Sequence, residues 1–471
     1  MELTEMTVYE LSRLLDKREL SSVEITRAYL GRIASGGLGT YITVTDKYAL
    51  SCAEEADKRL RIGQRLHALD GIPFSVKDNI CTKGIRTTCA SKMLSDFTPT
   101  YNATAVARLT EKGAVMLGKV NLDEFAMGID TETSHFGRVL NPLDKRRSAG
   151  GSSGGSAASV AGGECAFSLG TDTGGSIRQP SSFCGVVGMS PTYGRVSRFG
   201  LVSFAPSFDR IGVISRDIAD NALVLSAISG VDSNDATSVD KESVSITESV
   251  CKAHFTVIVP SEFLEAKAEQ SVKECYVKAI DVCRELGMNI KYVSIPELKY
   301  CLCAYSVLSS AEASSNLARY DGIRYGLGSL SENPRTIDEI RGEGFGDEVK
   351  VRVLFGTYAL GKGRGLYEKA LEVRRNITQS LESLLDGTSL LLAPSTNRTA
   401  FVYGDTSDDS LNSLSDFFSV CANLAGLPAL SFPVGDDGDG LPIGMQLIGA
   451  KFSEGFIYSA AAELAKAVKA E

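Results

Sequence analysis

Short apolar runs of strand length alternate with segments of helical periodicity along this chain, and this alternation constrains its fold more than any other feature. The run "FTVIVP" (255–260) precedes the amphipathic segment "AEQSVKECYVKAIDVCRELG" (268–287), and later runs are "TSLLLAPS" (388–395) and "LPALSFPVG" (427–435). Strands that alternate with helices pack as a sheet covered by helices. The sequence therefore predicts an α/β fold. No low-complexity linker divides the chain, so we expect one domain over residues 1–471.

Two capping boxes near the beginning of the chain predict helix starts. Thr7 is followed three residues later by Glu10, and Ser21 is followed by Glu24. In this pattern the hydroxyl and the carboxylate each accept a hydrogen bond from a backbone amide of the first turn. We therefore expect helices to begin directly after Thr7 and Ser21.

The charge balance limits the function. The 471 residues include 49 Lys and Arg against 58 Asp and Glu, which leaves a formal net charge of −9. A protein that binds nucleic acid over a broad face carries a basic stripe, because phosphate neutralisation supplies most of the affinity. Any nucleic-acid contact is therefore expected to be small or to lie on a partner.

Residue usage also bears on location and metal binding. The eleven cysteines are scattered and odd in number, which is typical of reduced thiols in a cytoplasmic protein. Only Cys301 and Cys303 lie close together, and with three histidines in the chain no metal site is predicted. The acidic start is not typical of a secretory signal, and no apolar run approaches the ~20 residues of a membrane span. We expect a cytoplasmic chain without a membrane segment.

The stretch "SAGGSSGGSAA" (Ser148–Ala158) has three possible interpretations: a linker, a phosphate cradle or the floor of an active site. Strand-like and helix-like segments flank it on both sides, which disfavours a flexible linker. A P-loop needs a lysine after its second glycine, and Ser156 stands at that position instead. The third interpretation depends on a second glycine loop downstream.

That second loop is "GTDTGGSIRQP" (170–180). Adjacent glycines can bring backbone amides together into an anion-binding nest. The loop predicts an oxyanion hole formed by the amides of Thr173, Gly174 and Gly175, with Ser176 as the nucleophile beside it. Asp172 is expected to cap the turn or bind its backbone.

A serine nucleophile needs a base. His67, His135 and His254 lie in contexts typical of structural or exposed side chains. Lys77, in "GIPFSVKDNI" (71–80), follows a short apolar run that predicts a buried strand, and burial favours the neutral amine. Composition alone favours a simpler alternative, an ion pair between Lys77 and the adjacent Asp78.

The long stretch Gly150–Gly200, "GGSSGGSAASVAGGECAFSLGTDTGGSIRQPSSFCGVVGMSPTYGRVSRFG", resembles the motif of the amidase-signature family. The resemblance implies a large central mixed β-sheet flanked by helices on both faces, with a signature core over about 60–240. It implies a triad in which Ser176 attacks, Ser152 bridges on a non-proline cis peptide bond, and Lys77 is the base. Ser153 is expected to support the relay.

Within that family, segments outside the motif are similar to the glutamine-hydrolysing subunits of tRNA-dependent amidotransferases. They are Ser309–Gly326, Gly344–Leu360 and Cys421–Gly435. This similarity implies that Arg352 binds the α-carboxylate of glutamine, Asp416 binds its α-ammonium, and Tyr305 lines the pocket. Without the resemblance, a surface ion pair for Arg352 and a helix cap for Asp416 are the simpler interpretations.

The resemblance also implies partners. Ammonia from glutamine would convert Glu-tRNA(Gln) to Gln-tRNA(Gln), with Asp-tRNA(Asn) as a further candidate substrate. ATP, magnesium and most of the tRNA contact are expected on a partner, the amidotransferase B subunit, and a small C subunit is expected to complete a heterotrimer. This chain itself is expected to need no cofactor. A stand-alone amidase for other carboxamides is the alternative, and a non-catalytic scaffold is a third, which the intact Lys77, Ser152 and Ser176 disfavour.

Overall fold

A single mixed sheet organises the chain. The computed structural model describes residues 2–241, 244, 255–327, 335–404, 411 and 414–470. Eleven strands in these residues belong to one sheet, and they are β1 (Tyr41–Val44), β2 (Pro73–Lys77), β3 (Val115–Val120), β4 (Phe167–Asp172), β5 (Val187–Ser190), β6 (Arg210–Ser215), β7 (Thr256–Pro260), β8 (Asn289–Val293), β9 (Ser389–Pro394), β10 (Ala429–Asp436) and β11 (Pro442–Ile448).

The strand order across the sheet is β1-β3-β2-β4-β6-β5-β10-β11-β9-β7-β8. Strands β3, β2 and β4 run parallel to one another, as do β9, β7 and β8, and the remaining neighbours are antiparallel. The carboxyl ends of β2, β3 and β4 therefore meet at one edge of the sheet. In open α/β sheets that edge is where ligands bind.

Fifteen α-helices in the described residues surround this sheet. They are α1 (Val8–Asp16), α2 (Ser22–Gly36), α3 (Asp46–Arg61), α4 (Thr104–Glu111), α5 (Gly154–Ala161), α6 (Arg178–Cys184), α7 (Ile218–Ile228), α8 (Ser261–Glu265), α9 (Gln270–Glu285), α10 (Cys301–Leu317), α11 (Ile337–Gly344), α12 (Asp347–Leu360), α13 (Arg364–Leu384), α14 (Val420–Ala425) and α15 (Glu454–Ala470). Short 3-10 helices cover Leu3–Glu5, Lys92–Leu94, Glu124–Ala126 and Pro296–Tyr300.

Both predicted capping boxes are confirmed. Thr7 accepts a hydrogen bond from the Glu10 amide while the Glu10 carboxylate accepts one from the Thr7 amide, and Ser21 and Glu24 form the same reciprocal pair. Each box satisfies two amides that the first helical turn would otherwise leave without a partner. Helices α1 and α2 accordingly begin at the residue after each cap.

The predicted α/β fold with a large mixed central sheet flanked by helices is confirmed. The apolar faces of sheet and helices form a continuous core, in which the rings of Phe74 on β2 and Phe167 on β4 stack with centroids 5.3 Å apart. This stacking fixes β2 beside β4. Among the residues described, no helix combines the length and apolar character needed to cross a membrane.

Candidate active site

The carboxyl edge of β2 and β4 holds the lysine that the sequence analysis singled out. Lys77 is the last residue of β2, and its side chain is fully buried. Its Nζ lies 2.8 Å from Oγ of Ser152, 2.8 Å from Oγ of Ser153 and 2.8 Å from Oγ1 of Thr171. Because a neutral amine donates two hydrogen bonds and accepts one, three hydroxyl partners suit the neutral form as well as the ammonium.

The surroundings of Lys77 shift its protonation towards neutrality. Burial lowers the pKa of Lys77 from 10.5 to about 7, and the nearby carboxyl groups of Asp123, Asp172 and Asp209 oppose this decrease to the extent that they are ionised. Removal from water disfavours the charged form of a lysine more than these carboxylates stabilise it. A large fraction of Lys77 is therefore neutral near pH 7, as a general base requires.

The ion pair between Lys77 and Asp78 that composition favours is wrong. Asp78 instead faces Lys119 of β3, with Nζ 3.3 Å from Oδ1 and both side chains buried. Successive residues of a strand point to opposite faces of the sheet, so Lys77 and Asp78 at the end of β2 are poorly placed to pair. The parallel neighbour β3 supplies the cation.

The stretch Ser148–Ala158 is buried throughout, so the linker interpretation is wrong. The Gly151–Ser152 peptide bond is cis. A Cβ at position 151 would clash with the carboxylate of Asp123, and one at position 155 would clash with the backbone of Asn121. The glycines therefore allow close approach of two backbone segments, which places Ser152 and Ser153 beside Lys77.

Ser153 forms hydrogen bonds both to Ser176 and to the end of β4. Its amide donates to the carbonyl of Ser176 at 3.1 Å, and its hydroxyl donates to the carbonyl of Thr171 at 3.0 Å. The hydroxyl oxygen also accepts from Lys77. Ser153 thus joins the lysine to the loop that carries Ser176. The side chain of Ser176 is partly exposed.

The loop amides differ in part from the expectation. The Gly175 amide donates to Oδ1 of Asp172 at 3.1 Å, so it is not a free donor for an oxyanion in this structure. In the described part of the chain, the amides of Thr173, Gly174 and Ser176 form no hydrogen bond with protein atoms. The free donors at the turn are therefore Thr173 and Gly174, together with the amide of Ser176.

Asp172 holds this turn, as predicted. Its carboxylate accepts from the amides of Gly175 and Ile177, at 3.1 Å each, and from the side chain of Asn423 at 2.8 Å. Burial alone would raise the pKa of Asp172, but the adjacent guanidinium of Arg178 holds it below its usual range. A permanently charged carboxylate therefore fixes the loop at neutral pH.

A cavity of about 400 Å³ opens beside the loop and brings the three remaining candidates together, since Tyr305, Arg352 and Asp416 all line it. A Cβ at Gly174 would lie 2.6 Å from Cζ of Tyr305, and one at Gly175 would lie 3.5 Å from Oδ1 of Asp416. The wall of the cavity is thus in direct contact with the loop that carries Ser176.

Arg352 forms an ion pair with a neighbour on its own helix and also lines the cavity. Its Nε donates to Oε1 of Glu348, four residues earlier on α12, at 2.7 Å, so the simple ion pair exists. Both side chains nevertheless line the cavity. Burial raises the pKa of Asp416 to about 6, and the positive charge of Arg352 opposes the increase. Asp416 remains mostly ionised at neutral pH.

Thr171 and Asp209 also belong to this site, although no sequence pattern predicted them. The Thr171 hydroxyl contacts Lys77 and also accepts from Nδ2 of Asn79 at 3.1 Å, while Oδ1 of Asp209 accepts from the Thr173 hydroxyl at 2.8 Å. Thr171 lies within the quoted loop motif, but only the pairing of β2 with β4 shows that it faces the lysine.

The histidines have no place in this arrangement. His135 is exposed and contacts the Phe136 ring edge to face, and His67 is half-buried in the segment after α3. His254 lies outside the described residues. Lys77 is therefore the candidate base that the site itself presents.

A buried, near-neutral lysine among hydroxyl groups at the carboxyl edge of a mixed sheet is an arrangement that suits an enzyme with a hydroxyl nucleophile. The chain belongs to the Amidase family, whose model matches residues 24–457.

Known proteins resemble this chain over its whole length. It is 48% identical to the A subunit of the Glutamyl-tRNA(Gln) amidotransferase of Caldanaerobacter subterraneus subsp. tengcongensis, over 100% of this chain and 98% of that protein. The crystal structure of the A subunit of the Glutamyl-tRNA(Gln) amidotransferase from Thermotoga maritima matches with a TM-score of 0.80 and 37% identity, covering 98% of this chain and 94% of the other. The peptide amidase from Stenotrophomonas maltophilia matches with a TM-score of 0.80 and 28% identity, covering 99% and 96%.

Proposed function

We propose that this chain is the glutamine-hydrolysing subunit of a tRNA-dependent amidotransferase. It releases ammonia from glutamine for a partner protein that converts Glu-tRNA(Gln) to Gln-tRNA(Gln), and Asp-tRNA(Asn) is a second candidate substrate. The observation that carries the proposal is the cavity in which Tyr305, Arg352 and Asp416 meet beside the Ser176 loop. The full-length similarity to the A subunits of amidotransferases supports it.

The proposed mechanism begins with Lys77 as the base. Neutral Lys77 accepts the proton of the Ser152 hydroxyl as Ser152 accepts that of Ser176. The Ser176 oxygen attacks the side-chain carboxamide carbon of glutamine. The free amides of Thr173 and Gly174, with that of Ser176, stabilise the negative charge that develops on the amide oxygen.

Collapse of the tetrahedral intermediate breaks the C–N bond. The proton held by Lys77 returns through Ser152 to the leaving nitrogen, which departs as ammonia and leaves an acyl-enzyme on Ser176. Water, deprotonated by the same relay, then attacks the acyl carbon and releases glutamate. Lys77 acts as base and acid in turn, and a pKa of about 7 suits both roles near neutral pH.

The polarity of the cavity supports glutamine as the substrate. A guanidinium binds a carboxylate through charge-assisted hydrogen bonds, and Arg352 supplies one at the cavity wall. Asp416 supplies a carboxylate for the α-ammonium group. Because Asp416 also adjoins Gly175, an ammonium bound there lies near the loop that carries Ser176.

Partner proteins complete the proposal. ATP, magnesium and most of the tRNA contact are assigned to the B subunit of the amidotransferase, and the C subunit completes a heterotrimer. The side chains of Val351, Leu354 and Tyr358 on α12 are each more than half exposed, and their spacing places them on one face of the helix. An apolar face of this kind supports assembly with another protein.

Substitution of the nucleophile tests the function. In the complex with its partner subunits, ATP, Mg²⁺ and Glu-tRNA(Gln), we expect Ser176→Ala to lower glutamine-dependent amidation by ~10³-fold or more. Amidation with added ammonium chloride should stay within about twofold of wild type, because that route bypasses acyl transfer. Ser156→Ala is the control, since this buried hydroxyl donates to the Leu169 carbonyl and has no assigned role in the relay. Equal loss of both activities in Ser176→Ala would contradict the proposal. The same assay with Asp-tRNA(Asn) tests the second substrate.

The alternative is a stand-alone amidase, which the structural similarity to a peptide amidase favours. The triad is common to both functions and does not separate them. A stand-alone amidase hydrolyses carboxamides at its full rate without partners. We expect instead that the isolated chain hydrolyses glutamine slowly, and that partner subunits, ATP and charged tRNA raise the rate.

A further inference from the structure

We propose that Asp130 is a second carboxylate that binds the α-ammonium group of glutamine, on the wall of the cavity that Arg352 and Asp416 also line. This inference rests on the proposed function and makes it more specific. It assigns to Asp130 the selection of substrates with a free α-ammonium, as opposed to carboxamides that lack one.

The charges of the cavity lead to this assignment. Its charged lining residues are Asp130, Glu348, Arg352 and Asp416. Glu348 is neutralised by its ion pair with Arg352, at 2.7 Å. Within the described chain, neither Asp130 nor Asp416 forms an ion pair. The cavity therefore has an excess of negative charge at Asp130 and Asp416, which an ammonium group complements, and Arg352 lies on the same wall for the carboxylate of the substrate.

Asp130 is held firmly in place. Its Oδ1 accepts from the amide of Glu132 at 2.9 Å, and its carbonyl accepts from the hydroxyls of Tyr403 at 3.0 Å and Ser148 at 3.2 Å. The Asp130 carboxylate also forms a side-chain hydrogen bond with Asp123. A carboxylate that is already ordered loses little conformational entropy when it binds a ligand.

Asp130 has a second carboxyl group, that of Asp123, as its neighbour, and the two differ in protonation. Asp123 is fully buried against Gly151, its Oδ1 accepts from the Thr133 hydroxyl at 2.9 Å, and its carboxyl group forms a side-chain hydrogen bond with Asp130. Burial and then the charge of Asp130 raise the pKa of Asp123 to about 8. Burial raises the pKa of Asp130 as well, but the amide of Glu132 and the side-chain hydrogen bond with Asp123 oppose this increase. The inner carboxyl therefore keeps its proton at neutral pH, while the outer Asp130, which reaches the cavity, is the ionised member of the pair.

The test compares two substrates in the assembled complex. L-Glutamine carries the α-ammonium group, and glutaramate has the same carboxamide and carboxylate without it. We expect Asp130→Asn to raise KM for glutamine about tenfold or more and to leave kcat near wild type. The reason is that the substitution removes a hydrogen bond between charged groups. KM for glutaramate should change less than about twofold. Glu132→Gln, an exposed acid two residues further on, should leave both values unchanged.

Asp130→Ser provides a second uncharged variant if Asp130→Asn assembles poorly, and ammonia-dependent amidation reports whether each complex is intact. Equal changes in KM for the two substrates, or no change for glutamine, would overturn the assignment of Asp130. Absence of glutamine hydrolysis by the wild-type complex would instead refute the proposed function, so the two failures are distinguishable.

Discussion

Replacing Thr171 by valine is expected to shift the pH dependence of glutamine hydrolysis without removing a triad residue. The Thr171 hydroxyl is one of three oxygen atoms 2.8 Å from Nζ of Lys77. Valine has nearly the same shape as threonine but offers no acceptor. The substitution therefore removes one stabilising contact from the lysine and little packing.

The size of the shift follows from the charge of the two forms of Lys77. A hydrogen bond to a charged group contributes about 1.5–3 kcal/mol and one between neutral groups about 1 kcal/mol. Loss of Thr171 Oγ1 thus destabilises the ammonium by about 0.5–2 kcal/mol more than the neutral amine. Since 1.36 kcal/mol corresponds to roughly one pKa unit, the pKa of Lys77 should fall from about 7 to about one unit lower.

The assay is kcat/KM for glutamine between about pH 5.5 and 9 in the assembled complex, because its acidic limb reports the base in the free enzyme. The ratio of the rate at pH 6 to that at pH 8 should rise about fivefold in Thr171→Val, by the same linkage. Thr87→Val is the matched control, since the Thr87 hydroxyl accepts at 2.7 Å from Lys119, a buried lysine outside the proposed relay.

The direction of the shift in the same pH profile decides whether Lys77 is the base. If Lys77 is the base, its lower pKa moves the acidic limb of Thr171→Val towards lower pH, while that of Thr87→Val stays in place. An unchanged limb in Thr171→Val, or one moved towards higher pH, would show that Lys77 does not control the proton transfer.

Two further predictions concern stability. The pKa of Lys77 is about 7 in the folded chain and 10.5 as its ordinary value, so between these limits the unfolded chain binds more protons. The free energy of unfolding of wild type, relative to Lys77→Met, should therefore increase by about 1.4 kcal/mol per pH unit from about pH 7.5 to 10. Urea unfolding at several pH values measures this, and a difference independent of pH would contradict it. Gly155→Ala should destabilise the chain by about 1–3 kcal/mol because its Cβ clashes with the backbone of Asn121. Gly31→Ala should not destabilise the chain, because there is open space around the new methyl group. Equal melting temperatures for the two variants would refute the packing argument.

Local elements of this fold were predictable because their causes lie within a few residues. The caps at Thr7 and Ser21 depend on side chains three positions away, and both helices begin where the pattern indicates. The strand that ends at Lys77 follows from a short apolar run between turn residues. The members of the proposed triad came from the resemblance of a long motif to a known family, while composition alone favoured another partner for Lys77.

Contacts between distant segments were not predictable in this way. Thr171 meets Lys77 across 94 positions because β2 pairs with β4, and Lys119 meets Asp78 because β3 lies on the other side of β2. The Gly175 amide, expected at an oxyanion hole, is bound by Asp172 because the turn folds back on that carboxylate. No local pattern encodes these pairings.

The sequence by itself determined the α/β class, the helix starts, the strand at Lys77 and the two glycine loops, since each depends on short-range periodicity or on residues that allow close approach. Only the tertiary structure decided that Lys77 is near neutral, which hydroxyls surround it, and that Asp130 shares a cavity with Arg352 and Asp416. The physical reason is that desolvation and charge complementarity are collective. They arise from every segment packed around a group, and strand order brings those segments together from distant parts of the chain.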